Sequence, residues 1–402
     1  MELKKYKLGD CFRMAENGLV IKQTKAAKGM PITRIETLSN DCFNRDRLGY
    51  GDIFDEEKYS HYILDDKDLL MSHINSRTFL GRTVLYRKRN GEKIIHGMNV
   101  LRIKTNQDIL DPIFASYLFR TSLFKRHIDN IRKDAINQSS FALSDLKNIE
   151  LYIPTIKEQN KIAYTLQLLD SKISLNRQIN DNLEAMAKQL YDYWFVQFDF
   201  PNDEGKPYKS SGGAMVWNDK LKREIPQGWS TLPISAILDK YPTTKRYETK
   251  EYLSQGKYPI IDQGDTYIVG YTNEDDNLLT RHPAVLFGDH STKVKFLDFD
   301  FARGADGTQI LYSSNDAVSQ YYLYLAVSTL QIPNPGYSRH FKYLKELPIV
   351  IPSLSIAIKF ANIVKPLFKK WTNNIFNNIA LTKQRDELLP LLMNGQASVN
   401  SD

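Results

Sequence analysis

The stretch from Ile153 to Leu190 recurs in pattern, at a fixed offset and without insertion, as Ile351 to Leu388. Alternate steps of four and three along the first copy pick out Ile162, Leu166, Leu169, Ile173, Asn176, Asn180, Leu183, Ala187, Leu190 and Trp194, the a and d positions of a heptad seam. The second copy reads Phe360, Val364, Leu367, Trp371, Asn374, Asn378, Leu381, Arg385, Leu388 and Leu392. Polar stands for polar and apolar for apolar throughout, except where Arg385 replaces Ala187, an exchange the sequence does not explain. Two long helices, far apart in the chain, therefore frame everything else.

A polar residue in such a seam weakens it but fixes register, because a slipped partner leaves the amide buried without a hydrogen bond. Both asparagine pairs stand at the midpoint of their seams. Centring has a use only if the helices pack antiparallel about a pseudo-twofold axis, where all four amides meet. The sequence thus predicts an antiparallel pair with Asn176, Asn180, Asn374 and Asn378 clustered at its middle and setting the register. Thr155 and Glu158 form a T-x-x-E capping box before the first helix. The second helix contains Pro366, for which a kink or a restart is expected.

The repeat divides the chain into residues 1–153, a helix over 154–200, a Pro- and Gly-rich linker over 201–228, a second segment over 229–351, a helix over 352–395 and a tail over 396–402. Strand-like runs at Leu69 to Ile74, Arg82 to Tyr86 and Val100 to Ile103 precede a helix expected from Pro112 to Ile131. In the second segment, strands at Tyr258 to Ile261, Ala284 to Phe287 and Val294 to Leu297 precede a helix from about Asn315 to Leu330. Both segments are mixed α and β in the same order.

Cys11 and Cys42 are the two cysteines, which excludes a disulfide scaffold and fits a reducing compartment. The first residues alternate in charge, and no run approaches the ~18 apolar residues of a membrane span. A soluble cytoplasmic protein is expected. The net charge of +7 suggests a polyanionic partner. Its distribution is uneven, since residues 227–350 hold 12 Lys and Arg against 14 Asp and Glu. If the second segment binds nucleic acid, it must do so through a local basic patch.

The first repeat, IPTIKEQNKIAYTLQLLDSKISLNRQINDNLEAMAKQLYDYWFVQFDFPN, resembles the central conserved region of the DNA specificity subunits of type I restriction-modification systems. Gly205 to Met215, Gly336 to Leu344 and Leu381 to Gly395 resemble the same family, so the likeness covers the whole chain. The resemblance implies an α+β architecture: two mixed α/β target recognition domains separated by two long conserved helices packed as a pseudo-twofold antiparallel coiled coil. Each domain would read one half of a bipartite double-stranded DNA sequence. The helices would act as a spacer and dock two methyltransferase (modification) subunits, which restriction subunits then join. The chain itself would be non-catalytic, with S-adenosylmethionine, ATP and Mg expected on the partner subunits. At 1.5 Å per residue, a helix from Lys157 to Phe195 is about 58 Å long, more than one ~34 Å turn of DNA.

No catalytic constellation competes with that reading. Asn334-Pro335-Gly336-Tyr337 lacks the second proline of an N-P-P-Y methyltransferase loop, and no glycine-rich nucleotide loop follows a strand. Pro201, Asp203, Glu204 and Lys206 superficially match a nuclease pattern but crowd one loop, whereas metal binding needs acids on neighbouring strands. The histidines show no metal-ligand spacing. DNA-contact candidates are His73, Asn75 and Arg77 after the strand at Leu69, and His290, Thr292 and Lys293 after the strand at Val285. Arg45, Arg47, Lys245, Arg246, Ser338, Arg339 and His340 join them, because Arg and Asn suit base edges and Ser, Thr and Lys suit phosphates. Subunit docking is expected on outer helix faces at Gln159, Arg177, Arg385 and Asp386. The competing function is a helical adaptor that recruits partners without reading sequence, which would bind DNA with a salt dependence but no sequence preference.

Overall fold

The computed structural model describes residues 2–24, 28–39, 42–136, 138–241, 244–333 and 339–399. The chain forms two compact units, residues 1–173 with 379–402, and residues 174–378. The division falls inside both long helices. Each unit owns one domain and a segment of each helix.

In the first unit, β1 (Leu3–Lys7) and β6 (Glu150–Pro154) are the first and last strands of the domain and pair antiparallel, Leu3 against Pro154 and Lys7 against Glu150. Between them, β2 (Phe12–Asn17), β3 (Leu69–Met71), β4 (Thr83–Leu85) and β5 (Leu101–Thr105) form an antiparallel sheet in the order β4-β3-β5-β2. Side chains alternate across a strand. Leu69 and Met71 accordingly enter one apolar cluster and Leu70 another, so β3 is covered on both faces. Helices α1 (Pro112–Leu118), α2 (Ser122–Ile131) and α3 (Leu143–Lys147) follow. The single helix expected from Pro112 to Ile131 is two. Thr121 Oγ1 donates to Leu118 O and accepts from Phe124 N, closing one helix and capping the next.

The second unit repeats the plan. Its outer pair is β7 (Ser230–Pro233) with β13 (Pro348–Ile351), again antiparallel. Inside lie β8 (Tyr258–Ile261), β9 (Ala284–Gly288), β10 (Val294–Leu297), β11 (Ala302–Gly304) and β12 (Thr308–Leu311), with β10-β9-β12 forming an antiparallel sheet. Like β3, β9 is covered on both faces: Val285 and Phe287 enter one cluster, Ala284 and Leu286 another. Helices α5 (Gln320–Thr329) and α6 (Phe341–Glu346) occupy the later part of this unit's domain. The expected linker is folded: Met215–Asn218 pairs with Arg223–Pro226, and Phe200, Ile225 and Trp229 are buried, with Phe200 stacked on Trp229 at 4.8 Å. Its glycines serve turns; Gly205, Gly212 and Gly228 all have positive φ.

β6 leads into the long helix α4 (Ile156–Tyr191), and β13 leads into α7 (Leu354–Met393). In α4 Glu158 is ion-paired to Lys161 at 3.6 Å. A π turn over Asp192–Val196 and a left-handed residue, Phe198 at φ 65°, end the first helix. Of the kink or restart expected at Pro366, the restart does not occur: α7 is continuous through it. That proline lies on the solvent side, where Asn362, whose carbonyl loses its helical partner, is also exposed. All twenty seam positions are buried or half-buried.

Candidate nucleic-acid interface

Each domain presents one irregular edge beyond the end of its central strand. In the first unit the edge is the loop from Ser72 to Arg82 between β3 and β4. Asn75 donates to Ser72 Oγ at 3.2 Å and accepts from Ser76 N at 2.8 Å, while Lys125 Nζ donates to Arg77 O and Leu80 O. Ile74 and Asn75 pair with Ser140 and Ser139 respectively, and Phe141 N donates to His73 O at 3.2 Å. This leaves Ser76, Arg77 and Thr78 exposed at the tip. Arg77 has no ion pair among the described residues, so its guanidinium is available.

The matching edge of the second unit is the turn from Asp289 to Lys293 between β9 and β10. Here His340 N donates to Asp289 O at 2.8 Å, the counterpart of the Phe141 to His73 bond, and Phe341 N donates to Asp289 Oδ1 at 2.8 Å. His290 is exposed. Thr292 sits at φ 57°, a left-handed conformation costing a β-branched residue roughly 1–2 kcal/mol, so the loop is held against its own preference. Arg339 and Lys342 are exposed beside this turn and carry no ion pair among the described residues, a local basic patch on a nearly neutral domain.

Several candidates are employed elsewhere. Arg45 makes two hydrogen bonds to Glu92 at 2.6 and 2.8 Å and one to Arg87 O, and lies over the rings of Phe43 and Tyr86; it is a structural residue. Lys245 is paired with Glu251 and Glu274 and lies over Tyr247, and Arg246 is paired with Asp306. His73 is half-buried against Phe141, and burial pushes its imidazole below the ordinary value, which favours the neutral ring. His340 is buried, with Nδ1 3.0 Å from Asp289 O, so it shapes the edge rather than reaching out from it. Lys293 is exposed and paired with Asp265 at 2.9 Å, and Arg47 is exposed. Ser338 and the Asn334 to Tyr337 motif lie outside the described residues.

The helix residues divide in the same way. Asn176 donates to Asn378 Oδ1 at 2.9 Å, Asn374 donates to Asn180 Oδ1 at 2.8 Å, and Asn180 donates to Trp371 O at 3.0 Å. The four amides therefore meet between antiparallel helix segments, all within the second unit. In the first unit, Arg385 donates to Asp170 Oδ1 at 2.8 Å, and Tyr117 donates to the other Asp170 oxygen at 2.6 Å. That carboxylate explains an arginine in the seam. Gln159 is not on an outer face. It is fully buried, donates to Ile109 O and Pro154 O, both at 2.8 Å, and accepts from Asp111 N at 2.8 Å, tying the start of α4 to the cap of α1. Arg385 is half-buried and also donates to Asp386 Oδ1 at 2.9 and 2.8 Å; Arg177 and Asp386 are exposed.

Trp194 and Phe195 are buried in the second unit's core against Phe360, and Trp371 packs at its margin. Among the described residues no group of His, Cys, Asp or Glu could hold a metal ion, and no helix is long and apolar enough to cross a membrane. One residue that sequence reasoning passed over is Gln263, after β8. Its position between a strand end and Gly264 was the available signal.

Comparison with known proteins fits this geometry. Two curated relatives, both from Methanocaldococcus jannaschii, are a putative type I restriction enzyme MjaX specificity subunit, 36% identical over 231 residues, and the type I restriction enzyme MjaIX specificity subunit, 27% identical over 310 residues. The first alignment covers 56% of this chain and 50% of the relative; the second covers 70% and 68%. The chain thus spans about half the length of the first relative. The crystal structure of a type I restriction-modification system S subunit from M. genitalium aligns over 98% of this chain and 96% of its own with a TM-score of 0.60 at 17% identity, a likeness of fold. The model of the type I restriction modification DNA specificity domain matches residues 1–185 and 226–381, and this chain is therefore a member of that family.

Proposed function

We propose that the chain is the sequence-reading subunit of a type I restriction-modification complex, in which each domain reads one half of a bipartite double-stranded DNA target. The observation that carries this reading is the edge built twice: a strand covered on both faces ends in a polar hairpin loop, and the residue before a short helical segment donates to a backbone carbonyl near the start of that loop, His73 O in one and Asp289 O in the other. Two such edges in one chain, with different loop sequences, suit two different half-sites. Arg77 in the first edge, and His290, Lys293 and Arg339 in the second, are the side chains suited to bases and phosphates. Asn75 positions the first loop through its hydrogen bonds.

The long helices carry the docking faces for two modification subunits, with restriction subunits joining that core in the cytoplasm. Arg177 and Asp386 belong to those faces. S-adenosylmethionine, ATP and Mg act on the partner subunits, and this chain contributes recognition alone. Sequencing the methylome of cells that hold the partner subunits, with and without this chain, tests the proposal. Methylated adenines in a split motif that depend on the chain are the expected result; an unchanged methylome with active partners overturns it.

A further inference from the structure

Three loops of the second domain converge on one half-buried side chain. Gln263 Nε2 donates to Asp306 O at 2.8 Å, Gln263 Oε1 accepts from His290 N at 3.0 Å, and Gln263 O accepts from Ser291 Oγ at 2.6 Å. The loop after β8, the β9 to β10 turn and the β11 to β12 turn are thereby joined through one residue. A primary amide suits this place because it donates from one atom and accepts at the other. A glutamate would face the Asp306 carbonyl with a second acceptor, and a leucine would satisfy neither neighbour.

The surroundings are fitted to that side chain. A Cβ on Gly307, whose φ is +82°, would stand 2.6 Å from Gln263 Nε2 and 2.6 Å from the His290 ring, and one on Gly288 would stand 2.9 Å from Gln263 Cβ. Beneath, the buried Lys295 amine donates to Asp262 O at 2.8 Å and to Thr266 O at 2.6 Å, gripping both ends of the segment that carries Gln263. Asp289 N donates to Gly307 O at 2.7 Å and locks the two turns to each other. The groups mounted on this frame are exposed: His290, the Lys293–Asp265 pair and the Arg246–Asp306 pair. Exposed ion pairs contribute little in water, so DNA phosphates can take over their cations at small cost.

We propose that Gln263 is the positioning residue of the second domain's DNA-reading edge, setting the loops at 288–293 and 304–308 so that His290 faces bases while Lys293 and Arg246 face phosphates. This rests on the reading of the chain as a sequence-reading subunit. It assigns Gln263 control of one half of the target and none of the other.

The test is the methylation motif produced by the full chain together with its modification subunits. Gln263→Leu is expected to lower methylation of the wild-type sequence on the order of tenfold and to broaden the bases accepted in one half-site, with the other half as sharp as before. His290→Ala should broaden the same half, and Gln263→Glu should fall between. A motif unchanged in both halves overturns the proposal, as does broadening of both halves together. If Gln263→Leu does not fold, Gln263→Glu and His290→Ala decide: broadening confined to one half supports the assignment and an unchanged motif ends it. If the wild-type chain directs no split motif, the functional reading itself has failed, whereas a wild-type motif that the variants leave intact sinks only the role of Gln263.

Discussion

Replacing Asn180 and Asn374 by leucine, singly and together, tests whether the central amides act as a coupled pair. Asn374 is fully buried, and its amide donates to Asn180 Oδ1, while its own oxygen has no partner among the described residues. Asn180→Leu therefore strands a buried donor beside an oxygen already unpaired, at a cost of about 1–3 kcal/mol before any gain from the leucine. Asn374→Leu is milder, because Asn180 keeps its bond to Trp371 O and the unpaired oxygen disappears. The double variant strands neither amide on the other and should be more stable than the sum of the singles by about 1–2 kcal/mol. The protein provides its own probe, since Trp194, Trp217, Trp229 and Trp371 all lie between Ser174 and Asn378. Urea unfolding followed by tryptophan fluorescence thus reports on that unit, where such a coupling displaces the midpoint on the order of 0.5 M. Additive singles, or an Asn374→Leu variant less stable than Asn180→Leu, would refute the reasoning.

Two further outcomes are expected in the first unit. Gln159→Leu orphans Ile109 O, Pro154 O and Asp111 N, and should cost roughly 2–5 kcal/mol, seen as faster hydrogen exchange around residues 109–115 with an unchanged tryptophan transition; wild-type protection there would remove Gln159 from the core. Hydrogen bonds from Arg45 hold the Glu92 carboxyl at about 2, against an ordinary 4.5. Its folded value is the lower one, so the pair's contribution is complete above about pH 4.5 and is lost as pH falls toward 2. Glu92→Gln should flatten that acid-side loss in exchange measured across residues 86–94, and Arg45→Ala should destabilise the unit at pH 7 while the methylation motif stays unchanged.

The helix pair was legible because a seam is a periodic object: burial at every third or fourth residue leaves a mark that survives without neighbours. Even the burial of Gln159 could have been read, since one more step of three back from Ile162 lands on it. What periodicity does not carry is the identity of partners distant in sequence. Arg45 meets Glu92 and Arg385 meets Asp170, and in both cases an arginine that looked free for DNA or a subunit is held by a carboxylate brought in by the fold. The break between α1 and α2 was hidden for a related reason. The apolar face runs on through Leu118 and Phe124, and only the hydroxyl of Thr121 says otherwise. Pro366 misled in the opposite direction, because the cost of a proline in a helix depends on whether water can reach the carbonyl it abandons.

The pairing of β1 with β6, and of β7 with β13, makes the doorway into each domain and the doorway out adjacent rungs of one ladder. Whatever chain lies between those rungs begins and ends at the same place, so its length and content can change without altering the path by which the exit strand enters its long helix. Each domain is in this sense a cassette clipped into a fixed holder. A different inserted segment keeps the same path into the helix as long as its two ends zip together.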